Sequence, residues 1–141
     1  MVIADFEAGI GTITRLDEQK LDLVLVVVEP TPKSIEVGSR AAGLASEKSL
    51  GRVIVVANRI RSEDDLAMIR SALPGHEVVA IPDDRAIVEA DRLGVSPLDL
   101  PDCGPAVRAL VELAGSLPVG VGIPQVPDGP AGPGTYRSTQ L

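Results

Sequence analysis

The sequence predicts an α/β domain: a partial, doubly wound parallel sheet of about four strands with flanking helices. Three observations point there. The run Leu23-Val24-Leu25-Val26-Val27-Val28 is continuous rather than alternating, as in a strand buried on both faces. Similar runs recur, separated by segments of helical periodicity, and that alternation produces parallel sheets with right-handed crossovers. Apolar residues make up 45% of the 141 residues, yet there is one Phe, one Tyr and no Trp, so the interior must be packed from aliphatic side chains.

The first strand is expected at Val2-Ile3-Ala4, ending at Asp5, with a glycine-containing turn from Ala8 to Thr12. The second is the run from Leu23 to Val28, stopped by Glu29-Pro30-Thr31-Pro32 because proline removes ladder donors. A helix is expected to open at Ser34 and run to about Lys48, burying Ile35, Val37, Ala41 and Leu44. Arg52-Val53-Ile54-Val55-Val56-Ala57 reads as a strand ending at Asn58-Arg59. Ser62-Glu63-Asp64-Asp65 resembles a capping box, and its helix carries Leu66, Ile69 and Leu73 on one face before Pro74-Gly75. Glu77-Val78-Val79-Ala80-Ile81 is a strand ending at Pro82-Asp83-Asp84, followed by a helix that stops at Gly94. The last helix starts near Gly104-Pro105, with Val107, Leu110, Val111, Ala114 and Leu117 at helical spacing. Residues 1–117 thus form one domain. From Pro118 to residue 141 the chain is rich in Pro and Gly, and a disordered tail is expected.

Composition narrows the function classes. The formal net charge of −7, without a basic cluster, argues against nucleic acid as a partner. No apolar run reaches the roughly 20 residues of a membrane helix, and the tail's one basic residue, Arg137, gives no basic amphipathic anchor. The N-terminus is acidic at Asp5 and Glu7 and lacks a basic n-region, so no signal peptide is read there. A single cysteine, Cys103, supports neither a disulfide framework nor a Cys-rich metal site, and cytoplasmic residence is expected. His76 has no neighbouring His or Cys and reads as a surface residue.

In parallel sheets ligands bind beyond the C-terminal ends of the strands. The places to examine are therefore Asp5 to Gly9, Asn58-Arg59 and Pro82-Asp83. An acid at the first position can hold Mg²⁺, usually through water. A glycine four residues on lets the backbone N–H approach a phosphate. Each segment also has a plainer reading, as a turn after a strand or, for Pro82-Asp83-Asp84, a helix N-cap.

Asp5-Phe6-Glu7-Ala8-Gly9-Ile10 followed by Arg15 resembles the segment after the Walker B strand of MinD/ParA-class ATPases, closest to the CooC-type branch. Val26-Val27-Val28-Glu29-Pro30 with Ser34-Ile35-Glu36, Val55-Val56-Ala57-Asn58-Arg59, Ile81-Pro82-Asp83-Asp84 and Ala90-Asp91-Arg92-Leu93-Gly94 fall in the family's order, through about residue 117. The resemblance implies a P-loop NTPase-like fold that takes ATP and Mg²⁺. It implies Asp5 as the Mg²⁺-associated acid and Gly9 as the γ-phosphate sensor. Asn58 would read the adenine edge, with Arg59, Pro82 and Asp83 around the base.

The departures are as informative. A phosphate-binding loop needs Gly-x-x-x-x-Gly-Lys-Ser/Thr. The lysines are Lys20, Lys33 and Lys48, and none follows a glycine. The resemblance therefore covers the C-terminal half of the family's fold, without the phosphate-loop strand that lies between the Walker B strand and the strand at residues 23–28. The family's activity is ATP hydrolysis, but this chain alone is not expected to hydrolyse ATP. It reads as a truncated or split nucleotide-switch module, with an N-terminal half or a homo-oligomeric partner completing it. In the isolated chain, residues 2–5 are expected to pair directly with residues 23–28. The competing reading is a non-catalytic α/β interaction module or a lapsed fragment of the same family. A receiver-like domain is not supported, because its acidic pair, phospho-acceptor Asp and Lys cannot be placed.

The tail reading has a direct test. Removing residues 119–141 should leave the thermal midpoint nearly unchanged, because Pro- and Gly-rich sequence buries little apolar area. A loss of several degrees would show that the tail packs on the domain.

Overall fold

The computed structural model describes residues 3–5 and 21–117. Among these, three strands form one parallel sheet in the order β1 (Leu23–Val28), β2 (Arg52–Ile60), β3 (Glu77–Pro82). Helix α1 (Pro32–Glu47) links β1 to β2, α2 (Glu63–Ala72) links β2 to β3, and α3 (Arg85–Leu93) follows β3. A 3₁₀ turn at Pro97–Asp99 leads to α4 (Pro105–Ser116).

Strand β2 is the centre of the molecule. Its Ile54, Val55, Val56 and Ala57 are all buried, so both faces of the sheet are covered there. On one face α1 and α2 bring Ile35, Ala42, Leu66, Ile69 and Leu73 against Val26, Val28, Val55 and Ala57. On the other, α4 brings Ala106 and Leu113 against Val56 and Ile81. No helix among the described residues is long and apolar enough to cross a membrane.

Most expected elements form where the sequence places them. Ser62 caps α2, its side chain accepting from Asp65 N, and Leu66, Ile69 and Leu73 point inward together. Gly94 ends α3 in the left-handed region at φ 65°. Three expectations need correction. First, residues 3–5 carry no strand and are exposed, Ile3 at 79%, so they do not pair with β1 and the described sheet has three strands, not four. Val2 lies outside the described residues. So short a strand offers few ladder bonds against a backbone entropy cost of about 1–2 kcal/mol per residue.

Second, α1 begins at Pro32, not Ser34. Thr31 is its N-cap, accepting from Ser34 N, and Pro32 occupies the first turn, where its missing N–H costs nothing. Its buried stripe is Ile35, Gly38, Ala42 and Ala45, whereas Val37, Ala41 and Leu44 are half-buried. Small residues face the sheet because the helix lies close to it: a Cβ added at Gly38 would collide with Val28 Cγ2. Third, α4 presents Ala106, Val107 and Leu113 to the interior, while Leu110 is exposed. Leu110, Val111 and Ala114 instead border a shallow apolar groove of about 290 Å³ with Ile87, Pro97 and Leu98.

The two glycines of α1 give opposite expectations. A Cβ at Gly43 meets nothing within 4 Å. Gly43→Ala should therefore stabilise by up to about 1 kcal/mol, the ordinary gain in helix propensity. Gly38→Ala should destabilise by about 1–3 kcal/mol, the usual cost of overpacking. Urea denaturation of both variants checks the difference in sign.

Candidate functional site

The C-terminal ends of the strands collect the charged residues. Parallel pairing runs in register from Leu23↔Arg52 to Val28↔Ala57, and Glu29, one step beyond β1, meets Arg59 of β2. Between β2 and β3 the register slips. Ala57 pairs with Ala80 and Ile60 with Pro82, which leaves Asn58 and Arg59 opposite Ile81 alone. This is a β-bulge, uncommon in parallel pairs and enriched beside active sites, where it re-aims side chains. Arg59 adopts φ 57°, a left-handed conformation that is uncommon away from glycine. The strand expected to end at Asn58 thus continues to Ile60, bent at that point.

The bend carries Arg59 and Arg61 over a cleft of about 180 Å³ lined by Glu29, Pro30, Thr31, Arg59, Arg61 and Asp65. Arg59 Nη1 pairs with Glu29 Oε1 at 3.4 Å. Arg61 is held more tightly. Its Nε donates to Asp83 Oδ2 at 2.8 Å, and its backbone N–H donates to Asp65 Oδ2 at 3.0 Å. The hydrogen bond that Arg61 donates to Asp83 raises its pKa most, then the charge of Asp83; desolvation opposes the shift, and the charges of Asp65 and Glu29 add smaller increases. The backbone N–H of Asp83 donates to Ile60 O at 2.9 Å, tying the loop after β3 to the end of β2.

Of the residues expected to act, Asn58, Arg59, Pro82 and Asp83 are brought together. Asn58 and Pro82 are half-buried and sit in adjacent strands, Arg59 and Asp83 are exposed, and the Arg61–Asp83 pair bridges the two strand ends. Asp5 is exposed and belongs to no element, and Gly9 lies outside the described residues. Among the described residues, no group of three His, Cys, Asp or Glu side chains could hold a metal ion. Asp5 by itself does not make a Mg²⁺ site.

The sequence reading missed Arg61, Asp65 and the lining role of Glu29 and Thr31. Asp84 is the helix N-cap that the plainer reading of Pro82-Asp83-Asp84 expected, but the sequence did not show its second bond. Asp84 caps α3, its Oδ1 accepting from Ala86 N at 2.9 Å, and its Oδ2 accepts from Ala106 N at 3.0 Å in the first turn of α4. One carboxylate thus caps two helices 22 residues apart. Gly104 is required beside it, because any Cβ there would overlap that carboxylate. Cys103 is buried and free, its carbonyl accepting from the Arg108 guanidinium, which fits a residue at a helix start.

Comparisons with known proteins bear on what this strand-end cluster binds. The chain is 32% identical over 112 residues to the carbon monoxide dehydrogenase accessory protein CooC of Rhodospirillum rubrum, covering 78% of this chain and 43% of that protein. It is 35% identical over 104 residues to an uncharacterized ATP-binding protein of Methanocaldococcus jannaschii, covering 71% of this chain and 40% of that one. Over most of its length the chain is thus similar to CooC and to a protein described as ATP-binding. A second uncharacterized ATP-binding protein of M. jannaschii is 25% identical over 117 residues, covering 80% of this chain and 46% of its own length. The chain therefore spans less than half the length of these CooC-like relatives. No protein-family model matches it, and no solved structure shows a significant match.

The double cap generates a prediction. Asp84→Ala should cost about 1–2 kcal/mol, the upper part of the range for a lost N-cap, because two helix starts lose an acceptor. Asp84→Asn, which keeps an oxygen acceptor, should recover part of the loss. Chemical denaturation of both variants measures it. No change for Asp84→Ala would show that neither bond contributes.

Proposed function

We propose that this chain is a CooC-like, ATP-binding switch module whose base pocket is the bulged end of β2 together with the loop after β3. One observation carries the reading: the bulge sets Asn58 and Arg59 beside Pro82-Asp83 at the C-terminal edge of a parallel sheet, where such sheets bind ligands. The Asn58 amide offers both a donor and an acceptor, the pair an adenine edge requires. Kinship with ATP-binding proteins favours this over a module that only makes protein contacts.

The triphosphate grip belongs to another part of the assembly in this reading. Only Lys20, Lys33 and Lys48 are present, and none sits in a phosphate loop, so stabilisation of a transferring phosphoryl group must be supplied in trans. An N-terminal half or a second chain is the proposed partner. Strand β1 supports this, because among the described residues it pairs only with β2 and its other edge is open. Its Leu25 and Val27 are 42% and 60% exposed on the face that α4 covers only over β2 and β3. An unpaired, apolar strand edge is a template for further pairing. In the completed site, Asp5 would contact Mg²⁺ through water and Gly9 would sense the γ-phosphate.

Calorimetric titration and a phosphate-release assay test the reading. The isolated chain should bind Mg·ATP in the high micromolar range or weaker and show no steady turnover. Asn58→Ala should weaken binding about tenfold, the equivalent of 1.4 kcal/mol. Turnover by the wild-type chain that Asp5→Ala abolishes would refute the division of labour. Binding unaffected by Asn58→Ala would refute the base pocket.

A further inference from the structure

We infer that Glu29 selects the sugar of the nucleotide: its carboxylate leaves Arg59 and accepts hydrogen bonds from the ribose hydroxyls. The inference rests on the base pocket proposed above and assigns that pocket a second specificity residue.

Glu29 is in the right place by register. Val28, the last residue of β1, pairs with Ala57, and Glu29 just beyond it meets Arg59, the residue after the proposed base reader Asn58, in the 3.4 Å ion pair. Its backbone is fixed: its N–H donates to Ser34 Oγ at 2.9 Å, and Pro30 restricts the chain immediately after it. The side chain lines the same cleft as Arg59 and Arg61.

The ligand chemistry follows from charge. The cleft is lined by two carboxylates, Glu29 and Asp65, and two guanidiniums, Arg59 and Arg61, and the Arg61 charge is already met by Asp83. A balanced lining does not favour a phosphate, which needs net positive charge. It suits a neutral, hydroxyl-bearing group. The other carboxylate of the cleft, Asp65, accepts from the Arg61 backbone N–H, and Asp83, outside the cleft lining, holds the Arg61 guanidinium. Glu29 is held by the looser pair, 3.4 Å against 2.8 Å, with both side chains substantially exposed. Exposed pairs of this kind contribute little and exchange readily. A carboxylate is an acceptor with two oxygens, and two adjacent ribose hydroxyls are its matching donors. Acids near the ends of parallel strands bind the ribose 2′-OH in dinucleotide folds for the same reason. Arg59, once released, lies over the cleft where its guanidinium can stack on a purine face.

The test compares ATP with 2′-deoxy-ATP on the full 141-residue chain, followed by ¹⁵N chemical-shift titration at nucleotide concentrations that suit weak binding. Wild type should favour ATP about three- to tenfold, the value of one hydrogen bond to a charged group at a partly exposed site. Glu29→Ala should reduce that ratio to about one, weakening ATP more than 2′-deoxy-ATP, which offers only the 3′-hydroxyl. Glu29→Gln, which keeps an acceptor and the side-chain shape, should retain part of the preference. A wild type that does not discriminate, or a Glu29→Ala variant that weakens both nucleotides equally, overturns the ribose role and leaves the base pocket standing. Absence of binding by either nucleotide to wild type, or binding unchanged by Asn58→Ala, overturns the base pocket and this inference with it.

Discussion

The burial of β2 on both faces is the constraint from which the rest of the molecule follows. Ile54, Val55, Val56 and Ala57 are consecutive, so their side chains alternate between faces and each face needs a cover. The crossover helices α1 and α2 supply one layer, and the return of the chain through α3 to α4 supplies the other. Because all three strands run parallel, their C-terminal ends fall on one edge. Residues that are distant in sequence become neighbours there, Glu29 with Arg59 and Arg61 with Asp83.

That edge is where the regular pattern is interrupted. The extra residue in β2 breaks the ladder and puts a non-glycine residue, Arg59, into the left-handed region. Such conformations cost of order 1–3 kcal/mol and persist only where the surroundings impose them. Here the surroundings are identifiable. Asp83 N bonds back to Ile60 O, Arg61 is tied to Asp83 and Asp65, and Ile60 resumes pairing at Pro82. The bulge is therefore bracketed on both sides, and its effect is to turn Arg59 over the cleft.

The opposite flank of the sheet is built differently. Leu25 and Val27 lie on a face covered elsewhere by α4 yet remain exposed, and among the described residues β1 has one neighbour. The chain matches less than half the length of its CooC-like relatives. The strand ends around Asn58 are held independently of that flank, by the β2–β3 ladder and by the Asp84 cap that joins α3 and α4.

The sequence alone determined the strand–helix alternation, the bounds of β3, the capping of α2 and the left-handed stop at Gly94, because these depend on local chemistry: continuous aliphatic runs, a serine cap and a glycine at positive φ. It also marked Asn58, Arg59, Pro82 and Asp83, since strand ends are legible from where apolar runs stop. Only the tertiary structure decided the face of α1. Apolar periodicity favoured Val37, Ala41 and Leu44, but the closeness of Val28 selects Gly38 and Ala42. Only register revealed the bulge, because one extra residue is visible only against a partner strand. The second bond of Asp84, the hold on Arg61 and the pairing of Glu29 with Arg59 all join residues far apart in sequence, which the strand ends bring side by side.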